Sequence, residues 1–375
     1  MMRMLDITER LLTIRVGTLI MLLASLLTWQ TPSRAQGPTP RWQPYDPARV
    51  DGKVLEEAVL SGPLPVQCPV PPLKDHYVIG VAQTSRDRDP WRELMNKEIA
   101  ESAYAYPQFS VIFADAQGSY AKQVEDVQNF LMLGIDLLII SPIESDQLTD
   151  SVTEVYRQCI PVIVLDRHVN NDQYSIFIGA NNQAIGEAAG HYAANWCADH
   201  KRAPCNVIEL RGLEGAPPTK DRGIGFRLGI SAAPAVHIVA SDNADWLREL
   251  ALDRATQMIN KHSDIAVIYA HNDAMAEAGR VAAQNAHYDL STMLFIGIDG
   301  LPTDEGGLVS VLNKRLAVTY VYPTGGHQAI EWALQMLVHH VNPPHWVELP
   351  FTEVRIDNAQ AICNTYHCSL ATQKQ

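Results

Sequence analysis

The chain has 375 residues, 47% of them hydrophobic, and a formal net charge of −13. That apolar content can build two globular domains with their own cores, and it excludes a disordered protein. The acidic balance deepens once the first 35 residues are set aside, because they carry Arg3, Arg10, Arg15 and Arg34 against Asp6 and Glu9. Nucleic acid is therefore not an expected partner.

In chain order, the N-terminus places three arginines before the apolar run VGTLIMLLASLL and then TPSRAQG, with Ser33 and Ala35 as a small-x-small cleavage site. Residues 1–35 read as a secretory signal peptide. The apolar run spans about 12 residues, short of the roughly 20 that a membrane-spanning helix needs. No Cys follows it, which argues against a lipid anchor, so a soluble chain in the periplasm is expected. Residues 36–75 are rich in Pro without sustained periodicity, and predict an extended lead-in with one short helix at VLEEAVL.

From His76 the pattern alternates. YVIGVAQ, FSVIFADA, DLLIISP, PVIVLDR and SIFIGA predict strands, separated by helical stretches WRELMNKEIAESAYAY, SYAKQVEDVQNFLMLG and SDQLTDSVTEVYRQC. After the helix NNQAIGEAAGHYAANWCADH the rhythm restarts: strands at CNVIELRG, VHIVASDN, IAVIYAHND, LFIGIDG and VTYVYP, with helices at DRGIGFRLGISAA, WLRELALDRATQMINKH, AMAEAGRVAAQNA and HQAIEWALQMLVHH. Continuous Val, Ile and Leu runs suit strands covered on both faces, and their alternation with helices implies parallel α/β sheets. Two such units in succession imply two lobes with a cleft between them.

The six cysteines suit an oxidising compartment and allow 15 pairings. Cys197 with Cys205 and Cys363 with Cys368 are local pairs, leaving Cys68 and Cys159. None of the spacings is a metal pattern, so no metal is expected.

In open parallel sheets, ligands bind beyond the carboxyl ends of the strands. The residues at those ends are polar: Ser141 after DLLII, Asp166 and Arg167 after VIVL, Asn272 and Asp273 after IYAH, Asp299 after FIGI, and Tyr322 after TYV. Carboxylates accept from adjacent hydroxyls, Arg donates through a planar fork, and an Asn amide does both. Such a set fits a polyhydroxylated ligand, and Trp91 and Trp246 are the aromatic faces that could pack on its C–H side. Asp273 reads as the N-cap of the helix AMAEAG, and His271 as a supporting residue. Trp196, Trp332 and Trp346 are assigned to core packing.

The stretches QTSRDRDPWRELMNKEIA, VIVLDRHV, PCNVIELRGLEGAPPTKDRGIGFR, VIYAHNDAMAEAG and FIGIDGLP occur in an order and spacing that resembles the periplasmic sugar-binding proteins of ABC importers. Within these, the chain is similar to the type I ribose- and galactofuranose-binding group. The resemblance implies an α/β fold of two Rossmann-like lobes with parallel sheets joined by a three-strand hinge. It places crossings near Asn181, Pro323 and Asn342: a first lobe of 76–181 plus 323–342, a second of 182–322 plus 343–362, and a tail of 363–375. It implies sugar contacts from Trp91, Arg92, Ser141, Asp166 and Arg167 on the first side, and from Arg222, Trp246, Asn272, Asp299 and Tyr322 on the second. The loop SRDRDPWR departs from the family by its charges, Arg86, Asp87, Arg88 and Asp89, which leaves room for an acidic or phosphorylated sugar. The implied partners are a small-molecule sugar and a membrane permease, or alternatively a sensor kinase or chemoreceptor, with the protein itself a monomer.

No catalytic motif, cofactor motif or P-loop is present, and GIGF lacks the GxGxxG spacing. A glycoside hydrolase using Asp166 and Asp299 as its carboxylate pair is the enzymatic alternative. It would require the two carboxyls to occupy different environments, whereas both sit beside Arg or amide groups. The residues favour a binder over an enzyme.

Overall fold

A computed structural model describes residues 68–69, 72–85 and 89–368. The signal segment, most of the lead-in with its expected VLEEAVL helix, the loop residues Arg86, Asp87 and Arg88, and residues 369–375 lie outside the described residues.

The first half runs β1 (Tyr77–Gln83), α1 (Pro90–Tyr104), β2 (Phe109–Asp115), α2 (Tyr120–Leu133), β3 (Leu137–Ile140), α3 (Ser145–Arg157), β4 (Val162–Leu165) and β5 (Ile176–Ala180). The second runs α4 (Asn182–Asp199), β6 (Cys205–Arg211), α5 (Pro217–Ile230), β7 (Val236–Asn243), α6 (Arg248–Lys261), β8 (Ile265–Ala270), α7 (Asp273–Asn285), β9 (Leu294–Ile296), α8 (Gly307–Leu312) and β10 (Val318–Val321). The chain ends with α9 (Gly326–Leu337), β11 (Trp346–Leu349), β12 (Thr352–Arg355) and α10 (Ala359–Thr365).

The strands form two sheets, ordered β11-β5-β4-β3-β1-β2 and β12-β10-β9-β8-β6-β7. All neighbours pair parallel except β10 with β12. Every residue of β3, β4, β5 and β8 is buried. Helices on both faces explain why these strands read as unbroken apolar runs without alternation.

Helix starts follow local chemistry. Asp89 caps α1 by accepting from the Trp91 N–H at 3.0 Å, with Pro90 in the first turn, where a missing N–H costs nothing. Ser119 caps α2, which closes on Gly134 in the left-handed region at φ 71°. Helix α5 begins at Pro217, four residues earlier than DRGIGF suggests. Pro217 and Pro218 look like a loop by composition, but they form the first turn of the helix. Helices α4 and α5 then pack with backbones in contact: a Cβ on Gly225 would lie 2.0 Å from the Gln183 carbonyl oxygen. This approach brings Arg222 of α5 beside Asn182 of α4.

Three features depart from the expected boundaries. β11 pairs in parallel with β5, Trp346 opposite Phe177, so residues 346–349 belong to the first sheet. The last crossing therefore lies between Leu349 and Thr352, not near Asn342. A strand of four residues after a Pro-Pro pair carries too short a pattern to reveal its sheet. The expected tail begins inside α10, where Cys363 is buried in the core of the second sheet. Trp346, expected in the core, is 45% exposed, with its ring 4.1 Å from Phe177.

All six cysteines pair: Cys68 with Cys159, Cys197 with Cys205, and Cys363 with Cys368. The first ties the end of the lead-in to the turn after α3, the second joins the end of α4 to the start of β6, and the third closes the turn after α10.

Candidate functional site

Between the two sheets, at the carboxyl ends of their strands, lies an empty volume of about 290 Å³ lined by Trp91, Arg92, Asp166, Arg167, Arg222, Trp246, Asn272, Asp299 and Tyr322, with Asp89 and Pro218. Nine of the ten residues singled out in the sequence line this one cavity. Ser141, the tenth, is absent from the lining and braces it from behind.

The first-lobe side is a closed network around Asp166. Its Oδ2 accepts from Arg92 Nη2 at 2.8 Å and Ser141 Oγ at 3.3 Å, and its Oδ1 from the Tyr322 hydroxyl at 2.6 Å. Arg92 Nη1 also donates to Ser141 Oγ at 2.7 Å. Burial alone would raise the Asp166 carboxyl, but the guanidiniums of Arg92 and Arg167 and the Tyr322 hydroxyl outweigh it and hold it below the usual carboxylate range. Burial, joined by the Asp166 charge, pushes the Tyr322 phenol up, so it stays protonated and donates. Arg167 Nη1 donates to the Ile143 carbonyl at 3.2 Å. Burial and the neighbouring Arg92 lower the Arg167 guanidinium to about 10, so it remains charged at neutral pH.

Tyr322 joins the halves. Its ring stacks on Trp91 at 5.0 Å, its carbonyl accepts from Trp91 Nε1 at 2.8 Å, and its hydroxyl accepts from Asn182 Nδ2 at 3.1 Å. Asn182 in turn accepts from Arg222 Nε at 2.8 Å, while Arg222 Nη1 donates to the His271 carbonyl. The Arg222 guanidinium lies 4.6 Å from the centre of the Tyr322 ring and 5.5 Å from that of Trp246.

The second-lobe side is more open. Asp299 accepts no side-chain hydrogen bond among the described residues, and its nearest cation, Arg222, is 4.0 Å away. Its backbone is held at φ 121°, where an L-residue is strained by about 1–3 kcal/mol, by ladder bonds to Tyr320 and Tyr322. Burial pushes the Asp299 carboxyl well up, reinforced by the carboxylates of Asp273, Asp89 and Asp166 and only partly offset by Arg222. Trp246 lies across Gly212, where a Cβ would stand 2.1 Å from the indole; only glycine allows that approach. Its Nε1 is buried without a hydrogen-bond partner among the described residues.

At the strand end His271-Asn272-Asp273 the roles differ from the expected ones. Asn272, not Asp273, caps α7: its Oδ1 accepts from the Met275 N–H at 2.9 Å and its Nδ2 donates to the Trp246 carbonyl at 3.2 Å. Asp273 is buried one residue later, accepting from Gly300 N at 2.7 Å and Thr319 Oγ1 at 2.6 Å, and it fastens the loop that carries Asp299. Both residue types cap helices, so the choice between them rested on which side chain the next loop required. His271 is a support: its Nδ1 accepts from the Gly212 N–H at 3.4 Å, and its Nε2 lies 3.2 Å from Glu209 Oε1. Burial lowers its pKa and keeps it neutral, despite Glu209.

Sequence reasoning missed Asp89, Pro218 and Asn182. Asp89 stood out only as part of a charged loop, although its place before Pro-Trp marks it as a cap at a strand-end loop. Asn182 carries no strand-end signal; only the meeting of α4 and α5 brings it to Arg222.

Comparison with known proteins gives the site its context. Residues 79–339 match the model of the periplasmic binding protein domain. The ribose import binding protein RbsB of Bacillus subtilis is 29% identical over 246 residues, covering 66% of this chain and 76% of the relative. The galactofuranose-binding protein YtfQ of Escherichia coli is 28% identical over 231 residues, 60% of this chain and 71% of the relative. Among solved structures, the fructose-binding periplasmic domain of a hybrid two-component system superposes with a TM-score of 0.73 at 37% identity, covering 78% of this chain and 96% of that one. With two parallel sheets facing a polar cavity, and with its family model spanning well over half the chain, this protein belongs to the periplasmic binding proteins.

Proposed function

We propose that this protein is an exported, monomeric receptor that closes its two lobes around one neutral monosaccharide and presents the closed form to an ABC permease. What carries the reading is the make-up of the cavity: Arg92, Asp166 and Arg167 from one lobe face Arg222, Trp246 and Asp299 from the other. Each lobe supplies half of the hydrogen-bonding groups, so the ligand is fully bonded only when the lobes are together, and sugar binding drives closure. Three carboxyls, Asp89, Asp166 and Asp299, accompany three guanidiniums in the lining, which favours a ligand recognised through its hydroxyls.

The relatives are named as binding proteins, which favours a binder over an enzyme. Asp166 is an ionised acceptor locked by two arginines and a phenol, with no proton to give a leaving group. No helix among the described residues is long and apolar enough to cross a membrane.

The ligand class follows from the relatives: pentoses and hexoses, with ketose and furanose forms first. Calorimetry and thermal shift of the mature chain with D-fructose, D-ribose, D-galactose and L-arabinose test it. At least one should raise the melting temperature, since a ligand at 100 times its Kd adds about 2.7 kcal/mol. No shift with any of them would sink the reading.

A second reading, presentation of the sugar to a sensor kinase, is favoured by one observation: the 37% identical domain belongs to a two-component system. Loss of labelled-sugar uptake on deletion selects transport; retained uptake with lost sugar-dependent transcription selects sensing.

A further inference from the structure

Adjoining the inner cavity the cleft holds a second, larger space, the outer chamber, with about 1360 Å³ of empty volume counting its open mouth. The two spaces share Asp89, Arg167 and Trp246, which therefore stand as the partition between them. The inner cavity is the smaller of the two, about 290 Å³ of empty space counting its open mouth, and is read as the seat of a single sugar ring. The outer one has room for another.

The outer walls again come from both lobes. Asp115 and Gln117 line it from the loop after β2, and Leu213, Asp245 and Leu247 from the loops after β6 and β7. The mixture of apolar wall and acceptor groups repeats the chemistry of a sugar site: a C–H face for the leucines, hydroxyls for the carboxylates and amide. We propose that this chamber is a second sugar subsite, so that the ligands include neutral disaccharides whose first ring fills the inner cavity and whose second lies against Leu213 and Leu247. This rests on the inner cavity being a sugar site.

Charge narrows the class. Among the described lining residues, Asp89, Asp115 and Asp245 face the chamber with Arg167, whose guanidinium is drawn toward the Ile143 carbonyl and Asp166, while Lys122 reaches the Asp115 carbonyl from α2. Burial raises the Asp245 carboxyl, and Glu214 and Asp242 add to this while Arg254 opposes it. The described lining carries more carboxyls than guanidiniums, so a neutral second ring is favoured over an acidic one.

The test is calorimetry of the mature chain with D-fructose, D-galactose and D-ribose beside sucrose, lactulose and a galacturonic acid disaccharide. At least one neutral disaccharide should bind within tenfold of its bound monosaccharide, and the acidic one more than tenfold weaker than that. Leu213→Trp, which fills the chamber without touching the inner cavity, should weaken the disaccharide tenfold or more and leave the monosaccharide within twofold. Gln117→Trp, at an exposed position, repeats the test should Leu213→Trp fail to fold. Monosaccharide binding with every neutral disaccharide more than tenfold weaker overturns the proposal, as does disaccharide affinity unmoved by either variant. If no sugar binds at all, the reading of the inner cavity falls instead.

Discussion

The two sides of the cavity are built by opposite strategies. On the first lobe, Asp166 is saturated before any ligand arrives, bonded by Arg92, Ser141 and Tyr322, and its carboxyl is held low. On the second, Asp299 is partly buried with no side-chain donor among the described residues, on a strained backbone, and its carboxyl is pushed up. The saturated carboxylate is part of the fold and fixes the arginines in place. The unsaturated one costs stability, and on the proposed function it recovers that cost from a ligand's hydroxyls. A hinged binder gains from that asymmetry: one rigid half receives the sugar, and the other gains most from closing over it.

The contrast is tested first, and with the largest effect, at Asp166. Asp166→Ala leaves Arg92 and Arg167 buried side by side without their counterion, and breaking such a buried pair costs about 3–5 kcal/mol. Urea denaturation of the sugar-free protein should show that loss, with sugar affinity lost alongside; an unchanged midpoint would remove Asp166 from the fold's framework.

Asp299→Asn should separate the two quantities. A carboxyl whose folded pKa is raised stabilises the fold below its unfolded value, and that contribution is lost as pH rises through the folded value; at neutral pH the ionised group is a burden. The variant should therefore keep or gain stability at pH 7 while losing about 1.5–3 kcal/mol of binding, roughly tenfold to a hundredfold in Kd. A drop in stability with affinity intact would reverse the roles assigned to the two halves.

The smallest effect lies at the rim. His168, in the loop after β4, places Nε2 3.8 Å from Asp221 Oδ2 on α5, so the pair bridges the lobes. The Asp221 carboxylate beside it raises the His168 pKa, with burial and Lys220 opposing. The bridge contributes fully below the ordinary histidine value of 6.5 and is lost as pH rises through the raised one. Sugar affinity should thus fall modestly between pH 6 and 8, by less at high salt because both side chains are partly exposed. His168→Gln should flatten that profile; an identical slope in the variant would show that the bridge does not assist closure.

Much of this was legible in the chain itself. The apolar runs of β3, β4, β5 and β8 marked buried strands, and the polar residues after β3, β4 and β8 marked the expected ligand edge, because a parallel sheet covered on both faces leaves only its strand ends open. Where reading failed, the cause was local ambiguity. Pro217 and Pro218 break helices in composition but open one in fact. Asn272 and Asp273 are both good caps. The four residues of β11 follow a Pro-Pro pair and state no sheet.

Sequence by itself thus determined the two α/β units, the residue types at the ligand edge and the family, since periodicity and motif order are properties of neighbours along the chain. Only the tertiary structure decided how those residues divide the work. It paired all six cysteines, returned β11 to the first sheet, brought Asn182 to Arg222 through the glycine contact of α4 with α5, and put Asp89, Arg167 and Trp246 between two chambers. Saturation of Asp166 and exposure of Asp299 to the cavity depend on partners up to 156 residues apart. No local pattern encodes which buried carboxylate will find its donors within the fold and which must take them from a ligand.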